Sequence, residues 1–131
     1  MPRLENRDTC FACGRQNPDG LQLPIKVDET GVRFENYVIP QRYEGWHGIV
    51  HGGIVATLLD ELMAWSVKPR GYNTVTAEMT VRFRKPVPVG KEISGSGWIT
   101  GEEGRIVYAR SRLTDREGVV LAEATGKLWK V

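Results

Sequence analysis

This 131-residue chain is short of the residues that staple or metallate small proteins, with only two cysteines and two histidines. Both cysteines fall in one Cys10-Phe-Ala-Cys13 pair near the N-terminus, so there is no framework of several disulfides. Such a pair can be half of a zinc site, a redox couple or a structural turn. A zinc site needs two more ligands, and the remaining candidates are His47 and His51. A thioredoxin-like couple would open a helix, whereas Gly14, Asn17, Pro18 and Gly20 signal turns. The expectation is a structural role and no bound metal.

An excess of one charge is missing too. The 18 Lys and Arg against 16 Asp and Glu leave +2, too little to argue for nucleic acid or an anionic membrane as partner. No apolar run reaches the roughly 18 to 20 residues that span a bilayer. The start, Met1-Pro2-Arg3-Leu4-Glu5-Asn6-Arg7-Asp8, has no apolar signal-peptide core, so the expected compartment is the cytoplasm. There is no linker, internal repeat or low-complexity tract. The length is that of one domain able to bury a core without metals or disulfides.

Hydrophobic periodicity orders what is present. An N-terminal loop over residues 1–20 precedes a single domain over 21–131. Leu21, Leu23, Ile25 and Val27 alternate with other residues as in a half-buried strand. A turn at Asp28-Glu-Thr-Gly31 leads to a returning strand from Val32 to Ile39. A loop rich in glycine and aromatic residues (Tyr43, Gly45, Trp46, His47, Gly48) then leads into a helix from about Gly52 to Val67, stopped by Pro69 and Gly71. Four strands follow, over 74–84, 92–100, 105–114 and 119–129, with hairpin connections at Gly101-Glu-Glu-Gly104 and Asp115-Arg-Glu-Gly118. One helix serves so many strands only if the sheet curls around it. The predicted class is α+β, a curved antiparallel β-sheet wrapped around one long central helix.

That helix carries the chemistry. Ile54, Val55, Leu58, Leu59, Leu62, Met63, Trp65 and Val67 leave only a thin polar stripe at Thr57, Asp60 and Glu61, so it is buried on nearly all sides. Its start at His51-Gly52-Gly53 offers unpaired backbone N–H groups and a partial positive charge suited to an oxyanion. A carboxylate such as Asp60 in an apolar helix is costly unless paired or used. It reads either as an edge carboxylate held by a Lys or Arg of the sheet, or as a general base or nucleophile. Gly53 and Asp60 are seven residues apart, roughly 10 Å along the axis. An oxyanion donor and a base must each come within about 3 Å of their atoms, so one helix cannot serve one carbonyl with both. Two helices packed antiparallel across a two-fold axis can, and the spacing favours a homodimer with two interfacial sites.

Gly48-Ile-Val-His51-Gly52-Gly53 followed by Leu58-Leu59-Asp60 resembles the hotdog-fold acyl-CoA thioesterases, in particular the PaaI-like group. The segments Cys10-Phe-Ala-Cys13-Gly14…Asn17-Pro18-x-Gly20-Leu21 and Thr76-Ala-Glu78-Met79-Thr-Val-Arg82-Phe83-Arg84-Lys85-Pro86-Val87 are similar to that group as well. The likeness covers about residues 9–129. It implies hydrolysis of an acyl-CoA thioester, by a dimer or dimer of dimers, with no metal or redox cofactor. Asp60 matches the acidic catalytic residue, Gly52 the glycine whose N–H polarises the carbonyl, with Gly53 beside it, and His51 the histidine that orients this turn. Thr76 matches a residue that helps hold the attacking water. Where some relatives carry Asn or Gln six residues before the motif histidine, this chain has Gly45, so that polar contact is either missing or moved to His47. Strict alternation puts Thr76 opposite Ala77, Met79, Val81 and Phe83. It therefore reaches a site on the helix side only through a bulge or from a dimer partner. Trp46, Tyr43, Trp65 and Met63 read as core or pocket wall. Arg82, Arg84 and Lys85 read as a solvated strand end or as donors to the phosphates of coenzyme A. The competing readings are a hotdog enoyl-CoA hydratase or dehydratase with His47 or His51 as base, and a non-catalytic acyl-CoA binding module.

Overall fold

The structure, a computed structural model, describes residues 4–29 and 31–131. Thr30 in the first turn and Met1 to Arg3 of the N-terminal loop lie outside the described residues. Strands β1 (Lys26–Asp28) and β2 (Gly31–Val38) precede helix α1 (Gly52–Ser66). After it come β3 (Thr74–Phe83), β4 (Glu92–Glu103), β5 (Ile106–Thr114) and β6 (Val120–Lys130). The strands form one antiparallel sheet in the order β1-β2-β4-β5-β6-β3. α1 packs against β2 through β6, so the sheet curves around the helix as the element order predicts.

The reason for this arrangement lies in the size of the residues facing the helix. Val55, Leu58, Leu59, Leu62 and Met63 are buried on α1, each worth roughly 1.5 to 3 kcal/mol relative to exposure. They need a floor that the backbone can approach closely. β4 to β6 supply it with Gly95, Gly97, Ala109, Ser111, Ala122, Ala124 and Gly126, all buried. A Cβ on Gly97 would stand 2.4 Å from the Leu62 carbonyl oxygen, so only glycine fits under that turn. The buried Ser111 hydroxyl donates to the Leu59 carbonyl at 2.8 Å, fastening mid-helix to sheet.

The boundaries of α1 match the spacing. His51 caps its start, and past Ser66 a 3-10 turn at Lys68–Arg70 ends on Gly71, whose φ of 81° closes the segment. The first strand differs from expectation. Leu21 and Leu23 are buried as the alternation requires, but the ladder begins only at Lys26. Gln22 sits at φ 50° and Pro24 has no N–H, so this stretch cannot join the sheet. Instead the Leu21 and Leu23 N–H groups donate to the Phe11 and Ala12 carbonyls, which docks the N-terminal loop on the core. The β4–β5 connection is also tighter than predicted. Glu103 pairs with Ile106, leaving two residues in the turn.

Candidate active site

The start of α1 rests on a loop that folds back on itself. The Gly45 N–H donates to the Ile49 carbonyl, the His51 N–H to the Tyr43 carbonyl and the Val50 N–H to the Val87 carbonyl. The His51 imidazole then caps the helix, its Nδ1 accepting the Gly53 N–H at 2.9 Å. Of the two glycine amides, Gly53's is therefore satisfied internally. Gly52's points out of the helix start with no partner among the described residues. Among the described residues Gly52 is thus the glycine whose amide is left for a ligand, because its neighbour's is committed to the cap.

Gly52 is exposed, and Phe83 at the end of β3 stands over it, 3.7 Å from where its Cβ would be. Gly45 packs on His51, where a Cβ would lie 3.3 Å from the histidine Cα and 3.4 Å from its ring. The missing side chain at position 45 is thus a steric fit to the cap. His47 does not take over that contact. Its side chain is 93% exposed, with Nδ1 3.9 Å from Glu44 Oε2, turned to solvent beside the equally exposed Trp46. Gly45, Trp46, Val50, His51 and Gly52 line a groove at the helix start.

Midway along α1 lies the second constellation. Asp60 is half-buried, and the Thr76 hydroxyl donates to its Oδ1 at 2.6 Å. No Lys or Arg pairs with it among the described residues; a neutral hydroxyl holds the carboxylate. The contact exists because β3 breaks alternation. Thr76 pairs with Leu128 and Glu78 with Lys127, so Ala77 is an extra residue in the ladder. This bulge lets Thr76 join Met79 and Val81 on the helix side. Thr76 thus reaches Asp60 within one chain.

The unbroken helix between the two constellations keeps Gly53 and Asp60 roughly 10 Å apart along the axis. The helix start thus offers the Gly52 amide as a hydrogen-bond donor, and Asp60 accepts from Thr76 at Oδ1. The basic residues of β3 are not brought to Gly52. With Phe83 over the helix start, alternation turns Arg82 and Arg84 to the outer face. There Arg82 shares a shallow pocket with Arg110, Arg112 and Glu123, and Arg84 pairs with Glu123 at 2.9 Å. That pairing and the guanidinium hold the Glu123 carboxyl below its usual pKa. Lys85 follows, exposed and without an ion-pair partner among the described residues. No helix among the described residues is long and apolar enough to cross a membrane.

The chain is similar to known proteins. Residues 47–122, more than half of the chain, match the pattern of the thioesterase superfamily. Acyl-coenzyme A thioesterase 13 of Mus musculus is 31% identical over 109 residues, covering 79% of this chain and 73% of that protein. A thioesterase superfamily protein of known structure superposes with a TM-score of 0.87 at 22% identity, over 99% of this chain and 69% of its own. The PaaI protein of the E. coli phenylacetic acid degradation operon does so with 0.77 at 18% identity, over 85% of this chain and 80% of its own. A curved sheet around one helix is thus the frame shared with these structures, and the chain belongs to the thioesterase superfamily as a thioester hydrolase with a PaaI-like hotdog fold.

Proposed function

We propose that the substrate is an acyl-CoA and that the working unit is a cytoplasmic homodimer, alone or as a dimer of dimers, whose two sites lie between subunits. The observation that carries this reading is the separation of the free Gly52 amide from the Thr76-held Asp60 along one straight helix. Two further features favour it. β3 is a ten-residue edge strand exposed along most of its length, and such an edge invites pairing with a second chain. The relative named acyl-coenzyme A thioesterase 13 supports the substrate class.

In this reading the thioester carbonyl oxygen accepts the Gly52 N–H, with His51 holding the turn and Gly53 letting the chain pass close to the cap. The partner subunit's Asp60 takes a proton from water while its oxygen attacks the carbonyl carbon. The partner subunit's Thr76 holds the carboxylate so that Oδ2 faces that water. The tetrahedral oxyanion collapses, the C–S bond breaks, and the coenzyme A thiolate leaves, taking up the proton. Lys85, two residues past the Phe83 that stands over Gly52, is assigned the coenzyme A phosphates, with Arg82 and Arg84 contributing positive potential on the outer face. No metal or redox cofactor is needed for this sequence. A hydratase reading is not favoured, because the Nδ1 of His51 is engaged by the Gly53 amide and His47 faces solvent.

Complementation tests both parts together. Gly52→Pro deletes the amide yet suits a first helical position, and the preceding residue, at φ −55° and ψ 135°, already has the backbone that proline demands. Asp60→Asn deletes the base. Each variant alone loses thiol release from acyl-CoA by at least about 10²-fold. Co-refolded in equal amounts, they recover about a quarter of wild-type activity, since half the dimers are mixed and each has one intact site. Two inactive variants that stay inactive when mixed would sink the shared site, and an active Asp60→Asn would sink the base.

A further inference from the structure

The N-terminal cysteines do not stand alone. Cys10 and Cys13 bracket a tight turn in which the Gly14 N–H donates to the Cys10 carbonyl at 2.8 Å. A Cβ on Gly14 would lie 2.4 Å from the Cys10 nitrogen, so glycine is required for the chain to close there. The turn presents both thiols to the polar stripe of α1, where Cys10 Sγ lies 3.6 Å from Glu61 Oε1. The two Sγ atoms and one Glu61 oxygen all lie within 4.8 Å of one another. Among the described residues no other group of three His, Cys, Asp or Glu side chains converges in this way.

From this convergence we propose that Cys10, Cys13 and Glu61 form a binding site for a thiophilic divalent cation, zinc by preference, that clasps the N-terminal loop to the central helix. The donor set suits the ion. Two thiolates at Cys-x-x-Cys spacing with a carboxylate make three protein ligands, leaving a fourth position for water. A tetrahedral zinc with Zn–S about 2.3 Å has ligand–ligand edges of roughly 3.5 to 3.8 Å. The Cys10–Glu61 separation already meets this, and side-chain torsions close the rest.

Two surrounding groups fit the bound state better than the empty one. The Trp65 indole N–H is buried with no hydrogen-bond partner among the described residues, and metal-bound sulfur would accept it. Lys68 lies with its Nζ 3.5 Å over the Trp65 ring, where it offsets the net negative charge of two thiolates and a carboxylate around a divalent ion. Without the cation, burial and the Glu61 carboxylate push the Cys13 thiol up to about 12. On binding, each S–H bond is replaced by a metal–sulfur bond, and the protons pass to the buffer. The site needs no residue of the catalytic reading, so its failure leaves that reading untouched.

The test uses the full chain, reduced and stripped of metal, titrated with Co²⁺ as the probe. The expected result is a thiolate-to-cobalt charge-transfer band that saturates at one ion per chain, is abolished by Zn²⁺, and is accompanied by about two protons released per ion. Cys10→Ser and Cys13→Ser should lose the band, and Glu61→Gln should weaken cobalt binding at least about tenfold, with far-UV circular dichroism verifying that each variant is folded. The wild type alone already decides the main point, because absence of the band in the reduced protein overturns the site. Unchanged affinity in folded Glu61→Gln overturns the three-ligand assignment.

Discussion

The two ends of the proposed site on α1 are built by different means. At the helix start, the groups are local. His51 caps Gly53 two residues away, and the free amide of Gly52 sits between them. Eight residues on, Asp60 owes its orientation to Thr76, sixteen residues distant in sequence, brought round by a bulge in an edge strand. The start of the helix is therefore a motif, and its middle is a tertiary contact. A local motif survives changes in packing that would disrupt a distant contact, and the two halves should respond differently to the same kind of substitution.

The largest difference is expected from separating the amide from the side chain at the start. Gly52→Ala keeps the N–H and meets only ordinary contact with Phe83, so it should retain most of the activity, whereas Gly52→Pro should lose about 10²- to 10³-fold in kcat. Equal losses in thiol-release assays would mean that space, and not the amide, matters there. Next comes the floor under the middle of the helix. Gly97→Ala forces a Cβ against the Leu62 carbonyl and should lower unfolding stability by about 3 kcal/mol in a urea titration. A wild-type midpoint would show that α1 can lift without cost.

A smaller effect tests the distant contact itself. Thr76→Val keeps the β-branched shape but removes the hydroxyl donor, and should lower kcat about tenfold, the scale of one hydrogen bond to a charged group, with KM and Tm nearly unchanged. The smallest is a control beyond the end of α1. There Glu102 accepts hydrogen bonds from Lys130 at 3.2 Å and Arg70 at 2.8 Å, contacts that hold its carboxyl below the usual range. The folded chain thus keeps this group ionised after the unfolded chain has protonated it. Its contribution is complete above the ordinary carboxylate pKa and is lost as pH falls through the lower folded value. Comparing wild type with Glu102→Gln in urea melts from neutral pH to pH about 3 should show the two curves converging on the acid side, and added salt should shrink the gap at neutral pH.

Much of the molecule was legible because its signals are local. The bounds of α1 follow from a glycine pair at one end and Pro69 with Gly71 at the other, and β4 to β6 lie close to the strand-like runs that their composition marks. Leu21 to Ile25 misled because burial and strand membership come apart there. The leucines are inside, but Gln22 at positive φ and Pro24 keep the segment off the ladder. Period-2 alternation reports which side chains are covered and is silent on where the backbone hydrogen bonds go. Glu61 as a neighbour of the cysteines is illegible for another reason: it lies 51 residues from Cys10, and no local pattern links a helix carboxylate to a distant loop.

The sequence by itself determined the helix, its apolar faces, the amide-bearing start and the position of Asp60, because these depend on periods of a few residues. It also determined that one helix cannot bring Gly52 and Asp60 to one carbonyl, since the rise per residue is a constant of the backbone. Only the tertiary structure decided which amide stays free, what holds Asp60 and what the cysteines face. Each of those turns on a torsion or a one-residue slip in register, and a bulge at Ala77 reverses the facing of every residue on one side of it without altering the pattern of letters.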